Sequence, residues 1–269
     1  MKVSVIITTY NAEEWLRKVL VGFSVQTEKD FEIIIADDGS NENTKQVIQS
    51  FSGVFQNEIQ HVWHPDQGFQ KCKIVNQAIL KSNSDYLLFT DGDCVPRHDF
   101  VASHLKYKEE GYLLSGGYFK LPLSISQMIS DVDITHQNCF SIQWLRSKGL
   151  KTNFKLIKLI RNRVFTSFMN WITPTKKTFN GHNTSCFKKD ILAVNGFNEK
   201  MQYGGLDREV GERLFNHGIL AKQIRYATIC VHLDHKRGYS SPEIWKRNNA
   251  IRAFNKKNNI TYIESGIFQ

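Results

Sequence analysis

The sequence lacks the features that mark several large classes of protein. Its five cysteines are widely spaced and form no Cys-x-x-Cys pair, which argues against a zinc site or disulfide framework and for a reducing compartment. No apolar run is long enough to cross a bilayer, and the chain begins with a strand-like run, so we expect neither a membrane span nor a signal peptide. No Gly-x-Gly-x-x-Gly follows that run, which argues against a dinucleotide-binding fold.

Acidic residues are missing from one long part of the chain. Residues 134–189 contain no Asp or Glu, whereas Lys and Arg recur throughout and alternate with apolar and aromatic side chains. The formal net charge of the whole chain is +9. This charge implies an anionic partner, and composition alone leaves open whether that is nucleic acid, a phosphorylated substrate or anionic lipid.

Apolar runs that alternate with helical patterns predict the fold. Four runs have the length and composition of buried strands: residues 3–7, 31–36, 59–63 and 86–90. Helical spacing separates them, so we predict an α/β protein with a mostly parallel sheet flanked by helices. We further expect a capping box at Asn11 and Glu14, a helix from Pro96 to residue 110, a strand over 112–119 and a helix over 208–217.

Polar residues follow three of the predicted strands. They are residues 8–11, the pair Asp37 and Asp38, and the triplet Asp91-Gly92-Asp93. Because the carboxyl ends of parallel strands lie along one edge of a sheet, we expect these groups to converge on one ligand. Two adjacent carboxylates repel unless a cation lies between them, and Mg²⁺ or Mn²⁺ holding a diphosphate fits that need. The simpler interpretation is a surface turn, since Asp-Gly is a common turn pair.

Taken together, these stretches resemble the family 2 glycosyltransferases of the GT-A fold. The matching sequences are VIITTYN at 5–11, IADDGS at 35–40 and TDGD at 90–93. The resemblance covers residues 1–104 and 179–235 and leaves out the basic middle segment. It implies a Rossmann-like GT-A fold with a basic, largely helical insertion, and a metal-dependent inverting transferase that uses a nucleotide-sugar donor.

The resemblance implies roles for residues on the donor side. Asp38 would accept a hydrogen bond from N3–H of the base, usually uracil, and Thr8 and Tyr10 would line that base. Lys71 and Lys73 match a position where the family places a basic group near the nucleotide, although a solvated helix face is the simpler interpretation. Around Gly92, Asp93 would be the principal ligand of Mn²⁺ or Mg²⁺, with Asp91 facing the ribose or a bound water.

The second half resembles the acceptor side of galactosyltransferase-like enzymes, which carry Gly-Gly-Glu-Asp before a short helix. Here the sequence is GGLDRE at 204–209, so Asp207 matches the catalytic base and Glu209 is a second candidate. Leu206 replaces the glutamate that helps hold the acceptor, so acceptor identity does not transfer. Asp207 could instead cap the helix. His232 lies where related enzymes place a histidine on the metal, and His235 is the weaker alternative.

These inferences divide the chain into four parts. We expect a nucleotide-sugar-binding half (1–120), a basic amphipathic insertion (121–178), an acceptor-binding half (179–240) and a helical tail (241–269). The expected activity is sugar transfer to a saccharide or lipid-linked saccharide in surface polysaccharide or lipopolysaccharide synthesis. A sugar-nucleotide pyrophosphorylase would carry a Gly-rich phosphate loop, which is missing here. The remaining alternative is an inactive module that binds polysaccharide or nucleic acid, and acidic strand ends disfavour nucleic acid.

The basic segment suggests a further partner. If residues 154–172 form one helix, then apolar residues recur at helical spacing and cations flank them, as in helices that lie in a membrane interface. We therefore expect residues 134–189 to contact an anionic membrane surface, which would place a cytoplasmic enzyme on the inner face of the cell membrane. The alternatives are that this face packs on the sheet or forms an acceptor lid.

Overall fold

The computed structural model describes residues 2–235 and 241–268. Its strands are short in the second half of the chain and longer in the first. They are β1 (Val3–Thr9), β2 (Phe31–Asp37), β3 (Gln60–Trp63), β4 (Tyr86–Asp91), β5 (Cys94–Pro96), β6 (Tyr112–Ser115), β7 (Gly117–Lys120), β8 (Thr184–Phe187), β9 (Leu220–Gln223) and β10 (Ile229–His232).

Helices connect these strands and fill the long interval between β7 and β8. They are α1 (Glu13–Ser24), α2 (Glu42–Gln49), α3 (Lys71–Lys81), α4 (Phe100–Tyr107), α5 (Leu123–Met128), α6 (Asp131–Thr135), α7 (Ile142–Ser147), α8 (Arg163–Ile172), α9 (Lys188–Ala193), α10 (Leu206–Asn216) and α11 (Pro242–Lys257). Two 3₁₀ turns, Asn138–Phe140 and Phe154–Leu159, lie in the same interval. No helix of the described residues is long and apolar enough to cross a membrane.

One large sheet organises the molecule, in the strand order β3-β2-β1-β4-β8-β6-β9. Strands β1 to β4 are parallel, and β8 enters antiparallel between β4 and β6. The predicted α/β class and mostly parallel sheet flanked by helices are therefore confirmed. Because β8 lies beside β4, the two halves expected from the sequence share one sheet. Residues 236–240, which end the expected acceptor half, lie outside the described residues.

Burial of apolar side chains on both faces of this sheet fixes the helices around it. On one face α1 buries Leu16, Leu20 and Phe23 against alternate residues of β1 and β2. On the other face α3 and α10 pack over Ile6 and Phe89. The alternation of side chains along each strand supplies both layers, as expected for a parallel sheet covered on both sides.

A second sheet, in the order β5-β10-β7, sits at the carboxyl edge of the first. The predicted strand over 112–119 is wrong, because the chain changes sheet at Gly116. A Cβ there would lie 2.0 Å from the Asn183 side chain, so only glycine permits this crossing. Asn183 donates from Nδ2 to the carbonyls of Gly117 and Thr228 and thereby ties the two sheets together.

Two predicted helix starts are also wrong. Asn11 does not cap α1: its φ is 43° and its Oδ1 accepts from the Asn41 backbone N–H, so it joins two loops instead. Glu14 pairs with Lys18 one turn later. Pro96 is the last residue of β5, and the residues that follow it form a turn before α4 begins at Phe100. In each case a tertiary contact overrides a local signal.

The basic insertion divides into two parts that the sequence did not separate. Several apolar residues over 121–150 are buried and join the main core, among them Leu121, Ile125, Ile134, Phe140 and Leu145. The single helix expected over 154–172 is wrong, because a 3₁₀ turn ends at Leu159 and α8 begins at Arg163. Leu156 and Leu159 are buried, whereas Val164, Phe168, Trp171 and Ile172 of α8 are exposed.

Candidate active site

The carboxyl ends of β1 and β4 lie side by side, and the polar residues predicted to follow these strands are found there. The two strands pair with Thr8 opposite Asp91, and the Thr8 hydroxyl donates to Asp91 Oδ1 at 2.8 Å. The Gly92 backbone N–H donates to the Thr8 carbonyl at 2.8 Å, and a Cβ on Gly92 would lie 2.9 Å from that oxygen. Parallel pairing and a glycine therefore fix the position of the Asp91-Gly92-Asp93 triplet.

Lys71, the first residue of α3, supplies positive charge to these carboxylates. Its Nζ lies 2.7 Å from Asp91 Oδ1. Burial alone lowers the pKa of Lys71, but the carboxylates of Asp91 and Asp207 outweigh it and hold that pKa above its usual value. Burial raises the pKa of Asp91, yet Lys71 outweighs this effect and keeps it ionised. Lys73 lies two residues further along the helix, on a different face from Lys71, and its side chain is exposed, so its place in the site stays a prediction.

Two histidines converge on Asp93. The Nε2 atoms of His232 and His235 lie 3.5 Å and 2.8 Å from Asp93 Oδ2. The arrangement follows from β10, which pairs with β5 so that His232 is opposite Cys94, while the Leu233 N–H donates to the Asp93 carbonyl. His235, the weaker metal-ligand candidate in the sequence analysis, lies closer to Asp93 than His232 does.

The chemistry of this donor set fits a divalent metal ion. Ligand atoms of Asp93, His232 and Cys94 all lie within 4.8 Å of one another, and His235 is not part of that group. A carboxylate with an imidazole suits Mn²⁺ and other first-row metals better than Ca²⁺. Burial raises the pKa of the Cys94 thiol well above its usual value, so we do not count it as a thiolate ligand.

Asp207 lies in the first turn of α10, close to Lys71. The residue before this helix is Gly205, so Asp207 is not its N-cap. Burial raises the pKa of Asp207, whereas the Lys71 charge lowers it. Its Oδ1 is buried and, among the described residues, accepts no hydrogen bond. A Cβ on Gly181 would lie 2.8 Å from that oxygen, so the missing side chain makes room for the carboxylate.

Glu209, the second candidate base, belongs to the core. Its side chain is fully buried, and its two oxygens accept from Nε and Nη2 of Arg213 at 2.8 Å each. Asn255 Nδ2 donates to it at 2.8 Å. The structure contradicts a catalytic role, because residues two apart lie on nearly opposite sides of a helix, and Glu209 is on the side that faces the core.

His182 is a site residue that the sequence did not reveal. Its ring makes an edge contact with Tyr118 at 4.6 Å between centroids, and Tyr118 also contacts His232. Desolvation lowers the pKa of His182 to about 4, against the opposing charge of Asp91, so the imidazole is neutral at pH 7. His182 precedes the antiparallel strand β8, whose amino end reaches the same edge as the carboxyl end of β4.

The expected base-binding residues lie beside the carboxyl ends of β1 and β2. Asp38 accepts from the Gln70 N–H at 3.0 Å and contacts His64 at 2.9 Å, and burial raises its pKa. Tyr10 is exposed and donates to Asp66 at 2.9 Å. Asp37, by contrast, is buried and accepts from the Ser40 N–H, which is the turn role considered from the sequence.

Comparison with known sequences identifies related proteins along almost the whole chain. An uncharacterized glycosyltransferase, YfnE of Bacillus subtilis, is 26% identical over 98% of this chain and 72% of its own length. The chondroitin synthase of Escherichia coli is 26% identical over 83% of this chain, which spans about a third (34%) of that enzyme. A model of the N-terminal domain of galactosyltransferase matches residues 163–236.

Comparison with solved structures identifies the fold. Staphylococcus aureus TarS 1-349 in complex with UDP-GlcNAc superposes with a TM-score of 0.62 at 15% identity, covering 96% of this chain and 69% of that one. The mannosyltransferase PcManGT of Pyrobaculum calidifontis, in complex with GDP-Man and Mn²⁺, gives 0.59 at 17% identity, covering 96% and 70%. The model of glycosyl transferase family 2 matches residues 4–176, which together with the strand-end site shows that the chain belongs to that family.

Proposed function

We propose that this glycosyltransferase moves a sugar from a nucleotide sugar, in the first instance a UDP-sugar, to a hydroxyl of a saccharide or lipid-linked saccharide, with inversion. One observation supports this most directly. Asp207 places a partly buried carboxylate, with a pKa that burial raises, at the edge where Asp91, Asp93 and Lys71 gather. Such a carboxylate is suited to take a proton from a substrate.

The bond changes of the transfer involve the Asp207 carboxylate, the acceptor hydroxyl and a positioned donor. Asp207 removes the proton from the acceptor hydroxyl as its oxygen attacks the anomeric carbon. The new C–O bond forms opposite the breaking bond to the diphosphate, which inverts the anomeric centre. A pKa raised by burial makes Asp207 a stronger base than an exposed aspartate, and the Lys71 charge opposes that rise and favours the ionised form.

On the donor side, Asp38 and Tyr10 would hold the base and Asp91 would face the ribose. Asp93, His232 and His235 would hold a divalent metal ion, for which Mn²⁺ or Mg²⁺ is our proposal. When bound, the ion would neutralise charge on the departing nucleoside diphosphate. The UDP-GlcNAc and GDP-Man complexes of the structural neighbours support a nucleotide-sugar donor, and the Mn²⁺ complex supports the metal.

We also propose a cytoplasmic location and a role in surface polysaccharide synthesis. All five cysteines are buried as free thiols, which suits a reducing compartment. Similarity to a chondroitin synthase supports a polysaccharide product. The acceptor and the linkage are not part of the proposal, because Leu206 replaces the family residue that contacts the acceptor.

The experiment is a thermal-shift screen of UDP- and GDP-sugars with and without Mn²⁺, followed by turnover measurements on two variants. We expect Asp93→Ala to lose the Mn²⁺-dependent part of donor binding. We expect Asp207→Asn to keep donor binding but to lose transfer by about two orders of magnitude or more. Asp85→Asn is the matched control, because this exposed aspartate lies at the opposite end of β4.

Three outcomes would contradict the proposal. Donor binding by Asp93→Ala that responds to Mn²⁺ as in the wild type would remove Asp93 from the metal site. Near-normal turnover by Asp207→Asn would place the base elsewhere. A wild-type protein that binds no nucleotide sugar and hydrolyses none with Mn²⁺ would favour the inactive binding module.

A further inference from the structure

Helix α8 is attached to the protein by its polar side. Of its residues only Thr166 is fully buried. The Asn170 carbonyl accepts from Gln223 Nε2 at 2.6 Å, and its side-chain oxygen accepts from the Tyr226 N–H at 3.1 Å. Thr166 and Asn170 are four residues apart and therefore lie on one face of the helix. That polar face is the one turned toward the rest of the molecule.

The apolar side of α8 points away from the protein. Val164, Phe168 and Trp171 are 80%, 52% and 81% exposed, and Ile172 is 43% exposed. Their spacing of three, four and eight residues places them on the face opposite Thr166. Surface helices normally turn such a face toward the core, so this arrangement leaves a contiguous apolar surface that requires a partner.

Charge identifies the partner. Residues 134–189 contain no carboxylate, and Lys155, Arg163, Lys176 and Lys177 are exposed and flank the apolar residues of α8 in the sequence. Cations around an apolar face with an exposed tryptophan match an interface between anionic headgroups and acyl chains. We infer that α8 binds the surface of an anionic membrane, with Val164, Phe168, Trp171 and Ile172 inserted among the lipids.

The position of the segment connects this surface to the active site. Lys158, in the 3₁₀ turn before α8, donates to the Tyr118 carbonyl at 3.3 Å, and its Nζ lies 5.5 Å from the centroid of that ring. The same ring contacts His182 and His232. The turn that precedes α8 therefore reaches the site edge, and a membrane bound at α8 would suit an acceptor that carries a lipid.

The test is flotation of the full chain with vesicles and needs no donor sugar, so it is independent of the proposed transferase chemistry. We expect binding to vesicles that contain phosphatidylglycerol, weaker binding at high salt, and little binding to pure phosphatidylcholine. Each cation near an anionic surface strengthens binding about fivefold, so the triple variant Lys155→Gln/Arg163→Gln/Lys176→Gln should bind roughly a hundredfold more weakly.

Two further variants separate the apolar contribution from charge. Phe168→Ser/Trp171→Ser keeps every charge and should lose at least tenfold in vesicle affinity, because it removes most of the inserted area. Leu80→Ser is its control: Leu80 is 51% exposed on α3 and should not contribute. Lys45→Gln/Lys81→Gln/Lys29→Gln changes the net charge equally but lies outside the segment, and should lose far less than the triple variant.

Several results would overturn the inference. Wild-type protein that stays in solution with anionic vesicles at low salt would exclude a membrane surface. Binding that Phe168→Ser/Trp171→Ser leaves unchanged would show that α8 is not inserted. A dimer in sedimentation velocity that this variant dissociates, without vesicle binding by the wild type, would assign the face to a second copy of the chain.

Discussion

Helices α1 and α8 carry the same kind of apolar stripe and place it in opposite ways. In α1 the stripe of Leu16, Leu20 and Phe23 is fully buried against the sheet. In α8 the stripe of Phe168 and Trp171 is exposed, and polar residues make the contacts to the protein. Periodicity therefore identifies which residues share a face, but what covers that face depends on the rest of the fold.

Substitutions in the buried core should lower the free energy of unfolding most where they break a buried ion pair. Arg213→Met should lower the free energy of unfolding by about 3–5 kcal/mol, because it leaves Glu209 as an unpaired charge in the core. Urea denaturation of wild type and variant measures the loss. Lys189→Met, which removes an exposed pair with Glu110, should cost less than about 1 kcal/mol. A similar loss for the two variants would contradict the structural role assigned to Glu209.

The next prediction tests the buried apolar stripe of α1. Leu20→Ala should lower the free energy of unfolding by about 2–5 kcal/mol, because a fully buried side chain leaves a cavity when it is truncated. The same urea titration measures it, with an unchanged m-value as the sign of an intact fold. A loss below about 1 kcal/mol would mean that the α1 stripe is less completely covered than the structure shows.

A buried histidine makes the free energy of unfolding depend on pH. Burial lowers the pKa of His104 to about 4, from 6.5 in the unfolded chain, so protonation favours the unfolded state. The stabilising contribution is complete above about pH 6.5, is lost as pH falls toward 4, and amounts to about 3 kcal/mol. Unfolding free energies measured across this range should fall less steeply for His104→Gln. Parallel curves would show that His104 titrates normally in the folded protein.

The smallest effect is expected at α8. Trp171→Ala should change the free energy of unfolding in the absence of lipid by no more than about 0.5 kcal/mol, because this side chain is 81% exposed. Comparison with Leu20→Ala in one set of denaturation curves is the measurement. If Trp171→Ala costs as much as Leu20→Ala, another part of the protein covers the α8 stripe in solution and the contrast between the two helices disappears.

Local signals predicted the parallel half of the fold well. A run of apolar residues followed by Asp or Thr marks both a strand and its carboxyl end, so Thr8, Asp38 and Asp91 could be placed at one edge from the sequence. Asp207 and Lys71 also lie near this edge. The rule fails for antiparallel β8, because residues that precede it reach the same edge, and His182 was missed for that reason.

Other residues could not be assigned because their partners are distant in sequence. Glu209 and Asp207 are both acidic residues in the first turn of α10. Only the contacts of Glu209 with Arg213 and Asn255 show that Glu209 is structural. Lys71 and Lys73 differ only in which side of α3 they occupy. The exposure of the α8 stripe could not be predicted either, since no local pattern distinguishes an apolar stripe that packs on the core from one that does not.

The pairing of β5 with β10 has a consequence for how the chain acquires its site. His232 lies opposite Cys94, beside Asp93, and roughly half of the chain separates the two strands. Contacts between residues so far apart form late in folding, because a long loop must close before they can be made. A chain emerging from the ribosome therefore holds Asp91 and Asp93 long before it holds the histidines. At the metal site proposed above, high-affinity binding would then begin only when β10 is in place, so a half-folded chain would not sequester the ion.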